Sequence, residues 1–167
     1  MSMFRLQVVI LILLCSGCAS QEYSEVGDRA PNFDLPTVNS EASLSLNSSE
    51  GRPVILNFWS STCSACLKEL PDLNQLHKEG GVTVIGIALD EDSSQVKQIV
   101  EDKAIEFDVV LGTQQLFEQY EGYGIPYTLV LDKNKTIRKR FRGIATHQEL
   151  VETIQQIEAT KDTVALN

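Results

Sequence analysis

Cys63 and Cys66 stand two residues apart in Trp59-Ser60-Ser61-Thr62-Cys63-Ser64-Ala65-Cys66. Two thiols at this spacing can close a disulfide on each other or share a soft metal. The run Val54-Ile55-Leu56-Asn57-Phe58, apolar apart from one amide, leads in as a strand, and a helical pattern leads out. At such a junction the free amides of a helix N-terminus stabilise a thiolate. The spacing therefore points to thiol–disulfide exchange. Cys63 is expected at the helix start, exposed, with a lowered pKa, as the nucleophile. Cys66, one turn further in, is the resolving thiol. Half a zinc site is the competing reading. Only His77 and His147 could complete it, and no second C-x-x-C follows.

The elements that must hold this pair are readable along the chain. Pro31–Pro36 and Ala42–Leu46 alternate in the strand manner and form a candidate hairpin. Cys66, Leu70, Leu73 and Leu76 recur at helical spacing, with Pro71 inside the helix as a kink, and Gly80-Gly81 ends it. Val82–Leu89 is nearly all apolar, the pattern of a central strand buried on both faces. A helix from Asp90-Glu91-Asp92-Ser93 to Lys103, a strand at Phe107–Leu111 and a helix at Gln114–Tyr120 follow. Then come the loop to Ile125-Pro126, a strand at Tyr127–Leu131, its hairpin partner at Thr136–Phe141 and a last helix capped by Thr146. The order β-β-β-α-β-α-β-α-β-β-α implies an α/β fold, a mixed central sheet flanked by helices.

The N-terminus reads differently. Arg5 precedes the apolar run Leu6–Leu14, which is about half of the roughly 20 residues a membrane span needs. Residues 1–17 are expected to be a secretory signal. Small residues before Cys18 resemble a bacterial lipobox, although Cys15 stands where a branched aliphatic is usual. That resemblance implies lipidation of Cys18 and attachment to a membrane. Residues 18–30 then form a tether, 31–159 the domain and 160–167 a flexible tail. Of four cysteines, only Cys63 and Cys66 would remain as thiols in the mature domain, in an oxidising compartment. A net charge of −9 argues against nucleic acid as a partner. The basic run Arg138–Arg142 reads as a solvated strand face rather than a docking site for an acidic partner.

Strand, C-x-x-C helix with Pro71, Ile125-Pro126, hairpin and final helix together resemble the thioredoxin fold. Here it carries an N-terminal β-hairpin and a central βα insertion. Within that fold residues 30–158 are similar to the TlpA-like membrane-tethered thiol–disulfide oxidoreductases, which include cytochrome c maturation reductants. The matching segments are Pro53–Ser60, Cys63–Pro71, Val84–Glu91 and Gly124–Asp132. Thr62 replaces the usual aromatic before the first cysteine, and Ser64-Ala65 replaces a dipeptide that often contains proline.

The resemblance implies a cis Pro126 that turns the Ile125 backbone toward the cysteines, where a substrate strand pairs with it. Trp59 flanks the disulfide as part of the substrate site, with core packing an equal alternative. Asn57 occupies the position of a buried aspartate in thioredoxins and cannot titrate. Glu69 is therefore the candidate proton acceptor for Cys66, a solvated helix carboxylate being the alternative. The resemblance implies no cofactor beyond the redox-active Cys63–Cys66 pair and no metal. Its partners would be exported proteins with disulfides and a membrane thiol carrier as electron donor. Two other functions remain open at this point. A peroxiredoxin-like peroxidase would use Ser60 before Cys63, but the upstream proline is absent. A copper-binding redox chaperone would hold Cu(I) on the thiolates, without a methionine in the mature chain.

Overall fold

The computed structural model describes residues 24–38, 40–49 and 51–164. The expected signal, the lipidation site Cys18 and the last three residues of the expected tail lie outside them.

The strands are β1 (Asp34–Pro36), β2 (Ser43–Ser45), β3 (Val54–Trp59), β4 (Thr83–Ala88), β5 (Asp108–Leu111), β6 (Tyr127–Leu131) and β7 (Ile137–Arg142). The helices are α1 (Ser64–Glu79), α2 (Ser93–Asp102), α3 (Gln114–Gln119) and α4 (His147–Val164), with a 3-10 turn at Leu46–Ser48. β1 and β2 pair as the expected hairpin, and the other five strands form one sheet in the order β5-β4-β3-β6-β7. β3 runs parallel to β4 and antiparallel to β6, so the sheet is mixed. This is the thioredoxin-like α/β fold.

Strand periodicity sorts the core into two layers. Ile55 and Trp59 of β3 share one apolar cluster with Val130 of β6 and with Cys66, Leu70 and Leu73 of α1, Val96 of α2 and Leu150 of α4. Val54, Leu56 and Phe58 face the other way, with Leu129 and Leu131, Leu116 and Phe117 of α3, and Phe33 and Leu46 of the N-terminal region. Helices thus cover both faces. β3 lies at the centre, buried along its whole length, and it delivers the chain to the cysteine pair.

α1 continues through the exposed Pro71 and stops where Gly80, at φ 77°, takes a left-handed conformation that glycine adopts without steric cost. α4 runs to Val164, past the boundary expected at residue 159. The segment expected to be a tether is hydrogen-bonded to the domain from Ser24 onward. The Ser24 amide donates to the Gln119 carbonyl (3.2 Å), Gly27 to Ile137 (2.8 Å) and Ala30 to Lys135 (2.8 Å). Arg140 reaches the Ser24 carbonyl and the Glu121 carboxylate. The Gly27 bond and the bond from the Ile137 amide to the Asp28 carbonyl (2.9 Å) satisfy edge groups at the start of β7. A polar, aperiodic sequence gave no sign of this, because main-chain pairing needs no side-chain pattern.

Four aromatic rings support the turn into β6. Phe58 and Phe117 lie 5.2 Å apart between ring centroids, Phe58 and Tyr120 5.4 Å, and Phe117 and Tyr127 6.0 Å. A Cβ added at Gly122 would sit 2.0 Å from Phe117 Cε2. Gly122→Ala is expected to destabilise the protein by roughly 1–3 kcal/mol through this overpacking. A lowered guanidinium chloride midpoint checks it; an unchanged midpoint would mean that Phe117 can leave its place.

Candidate active site

β3 ends at Trp59, and a three-residue loop carries the chain to Cys63, which caps α1. Cys63 and Cys66 form a disulfide, with Cα atoms 5.2 Å apart. The Cys66 amide donates to Cys63 Sγ at 3.1 Å, so the first turn of α1 aims a free N–H at this sulfur. No acidic residue occupies that first turn. The positive end of the helix therefore faces this sulfur without a competing carboxylate in the first turn. Cys63 is half-buried and Cys66 fully buried, the asymmetry expected of an attacking and a resolving sulfur.

The Ile125–Pro126 bond is cis. The Ile125 carbonyl oxygen lies 3.9 Å from Cys63 Sγ, so two loops far apart in sequence meet at the sulfur. Pro126 is buried and Ile125 half-buried. Gly143 donates its amide to the Pro126 carbonyl (3.0 Å), which ties this turn to the loop before α4.

Behind Cys66 lies Glu69, wholly buried and hydrogen-bonded by three donors. Asn57 Nδ2 donates to Oε2 at 3.0 Å, while Thr128 Oγ1 and the Ala145 amide each donate to Oε1 at 3.0 Å. Asn57 Nδ2 also donates to Thr128 Oγ1 at 2.8 Å. The geometry follows from register. Asn57 and Thr128 are paired residues of β3 and β6, so both project toward α1. Burial pushes the Glu69 carboxyl above its ordinary value of 4.5, and the Ala145, Thr128 and Asn57 bonds oppose that shift; Asp72 adds a smaller upward push. All of the bonds in this network donate toward the carboxylate, and Asn57 Oδ1 has no partner among the described residues. The solvated alternative for Glu69 is therefore incompatible with its position.

Of the two places expected for Trp59, it takes the one in the core and not the substrate surface. It is fully buried in the same apolar cluster as Cys66, where no substrate can touch it, and it backs the site from inside. The bulk of an indole on an inward-facing strand position explains this. The two histidines make their contacts elsewhere. His147 Nε2 lies 2.9 Å from Glu79 Oε2, and His77 packs edge-on to Phe107. Among the described residues no group of three or more His, Cys, Asp or Glu side chains is gathered to hold a metal ion. In the basic run, Arg138 pairs with Asp132 and Arg140 with Glu121, while the Arg142 guanidinium lies 4.3 Å from the Tyr123 ring centroid.

Sequence reasoning did not single out Thr128 or the Ala145 amide. Thr128 had a signal: it is the one polar residue in Thr128-Leu129-Val130-Leu131 beyond the tyrosine that opens the strand, as Asn57 is in its own strand. Two lone polar groups on buried strands demand a shared partner. The Ala145 amide carried no signal, since a main-chain donor is invisible in sequence.

A sequence model of the AhpC/TSA family matches residues 26–140. The chain is 30% identical over 165 residues to a thiol-disulfide oxidoreductase ResA of Bacillus cereus, covering 90% of this chain and 94% of that protein. It is 28% identical over 129 residues to thioredoxin-like protein YneN of Bacillus subtilis (strain 168), covering 74% and 75%. Among solved structures, a thiol:disulfide interchange protein of the thioredoxin family from Chlorobium tepidum TLS superposes with a TM-score of 0.71 at 26% identity, over 80% of this chain and 98% of that one. StoA from Bacillus subtilis superposes with a TM-score of 0.64 at 25% identity, over 74% and 96%.

Glu69 sets a pH dependence of stability. Below about 4.5, the ordinary value, the group is protonated in both folded and unfolded chains. As pH rises, the unfolded chain ionises first and folding loses free energy until the folded carboxyl has titrated too. Glu69→Gln removes that loss, and the free Asn57 Oδ1 can turn to accept the new amide. The variant's stability relative to the parent is expected to be constant below pH 4.5 and to improve through the range above it. Urea unfolding across pH checks this; a difference independent of pH would contradict it.

Proposed function

The chain belongs to the AhpC/TSA family and is a thiol–disulfide oxidoreductase, and from that premise we propose that it reduces disulfides of exported proteins while tethered to a bacterial membrane. The observation that carries the reductive reading is the buried Glu69 network behind Cys66. A reductase must make a thiolate of a buried thiol, and a buried carboxylate in the same helix can take that proton.

The cycle starts from the reduced enzyme. Cys63 thiolate attacks one sulfur of a substrate disulfide. The new S–S bond joins Cys63 to the substrate, and the other substrate sulfur leaves as a thiolate that takes a proton from solvent. Cys66 gives its proton to Glu69 and attacks Cys63 Sγ. The Cys63–Cys66 bond forms, the mixed disulfide breaks, the released thiolate takes a proton from solvent, and the substrate departs with two thiols, while Glu69 returns its proton to solvent. Two electrons have passed from enzyme to substrate, and an external dithiol must restore them. The substrate backbone pairs with Ile125 beside cis Pro126, which brings the scissile bond to Cys63.

The named relatives favour exchange over the peroxidase alternative. Geometry agrees: the Ser60 hydroxyl is engaged by Asp90 and Thr62. Among the described residues the copper reading has only the two sulfurs to offer, with no group of three or more potential ligands. Tethering rests on the sequence of the N-terminus, with Cys18 as the lipidated residue, and places the domain outside the cytoplasm. Among the described residues no helix is long and apolar enough to cross a membrane. Cytochrome c maturation is one setting in which exported thiols must be kept reduced, and we include apocytochrome c among the proposed substrates.

Acid quenching of living cells, followed by a thiol-alkylating mass tag, reads the direction of exchange. A steady-state population mainly in the dithiol form is expected. A stable Cys63–Cys66 disulfide in the same cells would contradict the reductase and favour an oxidase.

A further inference from the structure

The loop between β3 and Cys63 has an anchor of its own. Asp90, in the segment just after β4, accepts hydrogen bonds from the Ser61 amide at both carboxylate oxygens (3.0 and 3.1 Å). The Ser61 hydroxyl donates to Oδ1 at 2.5 Å, and the Ser60 hydroxyl donates to the same oxygen at 3.2 Å. The Ser60 oxygen in turn accepts from the Thr62 amide (3.3 Å) and lies 3.1 Å from the Thr62 hydroxyl. A hydroxyl carries one proton, so these bonds share one direction: Thr62 gives to Ser60, and Ser60 gives to Asp90. The Cys63 amide closes the turn on the Ser60 carbonyl at 3.1 Å. A surface loop of this kind usually leaves its polar groups to water. Here one carboxylate gathers the Ser61 amide and the Ser60 and Ser61 hydroxyls, with Gln95 Oε1 3.2 Å from the Ser61 hydroxyl.

We propose that Asp90 is the positioning residue of the nucleophile: its carboxylate fixes Ser60–Thr62 so that Cys63 Sγ stays over the Cys66 amide in the first turn of α1 and beside the Ile125 carbonyl. The hydrogen bonds are charge-assisted, the stronger kind, and they lie next to Cys63 in the chain. Asp90 touches neither sulfur in this arrangement; it acts through the loop. A displaced loop would take Cys63 off the Cys66 amide, and the thiolate would lose its donor. Neighbouring charges do not substitute for Asp90. Asp92 is committed to capping α2 through the Ser94 amide (2.8 Å), and Glu69 lies behind Cys66 in its own network.

A positioning role and a bare charge act in opposite directions, which makes the inference testable. Removing a negative charge near Cys63 favours its thiolate; releasing the loop disfavours it. The inference rests on Cys63 being the attacking sulfur, so the experiment reads both sulfurs separately. The full chain is reduced and treated with iodoacetamide across pH, and the Cys63 and Cys66 peptides are followed by mass spectrometry. In the parent, Cys63 is labelled first. In Asp90→Ala the midpoint of Cys63 labelling is expected to move to higher pH, with about a tenfold loss of rate at about pH 7, as one pH unit gives. Asp90→Asn keeps an acceptor for the Ser61 amide and is expected to recover most of that rate. An unmoved midpoint with lowered thermal stability would reduce Asp90 to a structural residue and overturn the proposal. A midpoint moved to lower pH in both variants would overturn it in favour of a through-space charge. Faster labelling of Cys66 in the parent would overturn the nucleophile assignment, and the proposal with it. Should Asp90→Ala fail to fold, Ser60→Ala combined with Ser61→Ala removes both hydroxyl bonds and leaves the carboxylate. The same upward shift is expected there, and its absence would overturn the proposal.

Discussion

A single buried carboxylate joins the parts of this molecule that do chemistry. Glu69 belongs to α1, and its three donors belong to β3, β6 and the turn before α4. Placing an ionisable group there is costly unless its oxygens are satisfied. Each donor must therefore come from an element in its correct place. β3 must be in register with β6 to bring Asn57 beside Thr128, and the loop from β7 must fold back to offer Ala145. That same loop holds the cis-proline turn through Gly143, so the group behind Cys66 and the surface in front of Cys63 share one scaffold.

A second carboxylate stands on the other side of the pair. Glu69 is buried and held by side chains and one amide, whereas Asp90 is half-buried and gathers the loop that leads to Cys63. The two are suited to different work. Burial raises the proton affinity of Glu69, as the proton acceptor proposed above requires. Asp90 makes its bonds to amide and hydroxyl hydrogens of Ser60 and Ser61, and that suits a fixed anchor. The sulfurs sit at a helix start with no carboxylate in its first turn.

Much of this was legible in the sequence, for definite reasons. Apolar runs and helical spacing place β3, β4, α1 and β6, because burial on a sheet or helix face imposes a period on residue types. The C-x-x-C with Pro71 and Ile125-Pro126 brought the site together across distant parts of the chain through the resemblance to the thioredoxin fold. Asn57 pointed away from a strand aspartate and toward Glu69. The unread features depend on the main chain or on tertiary proximity. The docking of residues 24–30 along β7 uses amides and carbonyls. The Ala145 amide reaches Glu69 only after α4 has packed. Asp90 looked like the start of a helix, yet Asp92 caps α2 and Asp90 turns to the loop beside it. Trp59 was placed near the site correctly but on its inner side, since strand alternation fixed the face and not the depth.

If Glu69 receives the proton of Cys66, as proposed, its loss slows resolution and leaves the first attack untouched. Rapid-quench single turnover with a small disulfide substrate separates the two exchange steps, because the mixed disulfide on Cys63 can be weighed directly. In Glu69→Gln the account predicts an unchanged rate of mixed-disulfide formation and a resolution step slower by roughly 100-fold, the usual scale of a lost general base. The Cys63 adduct should accumulate visibly. Equal resolution rates in parent and variant, with no accumulation, would contradict the account.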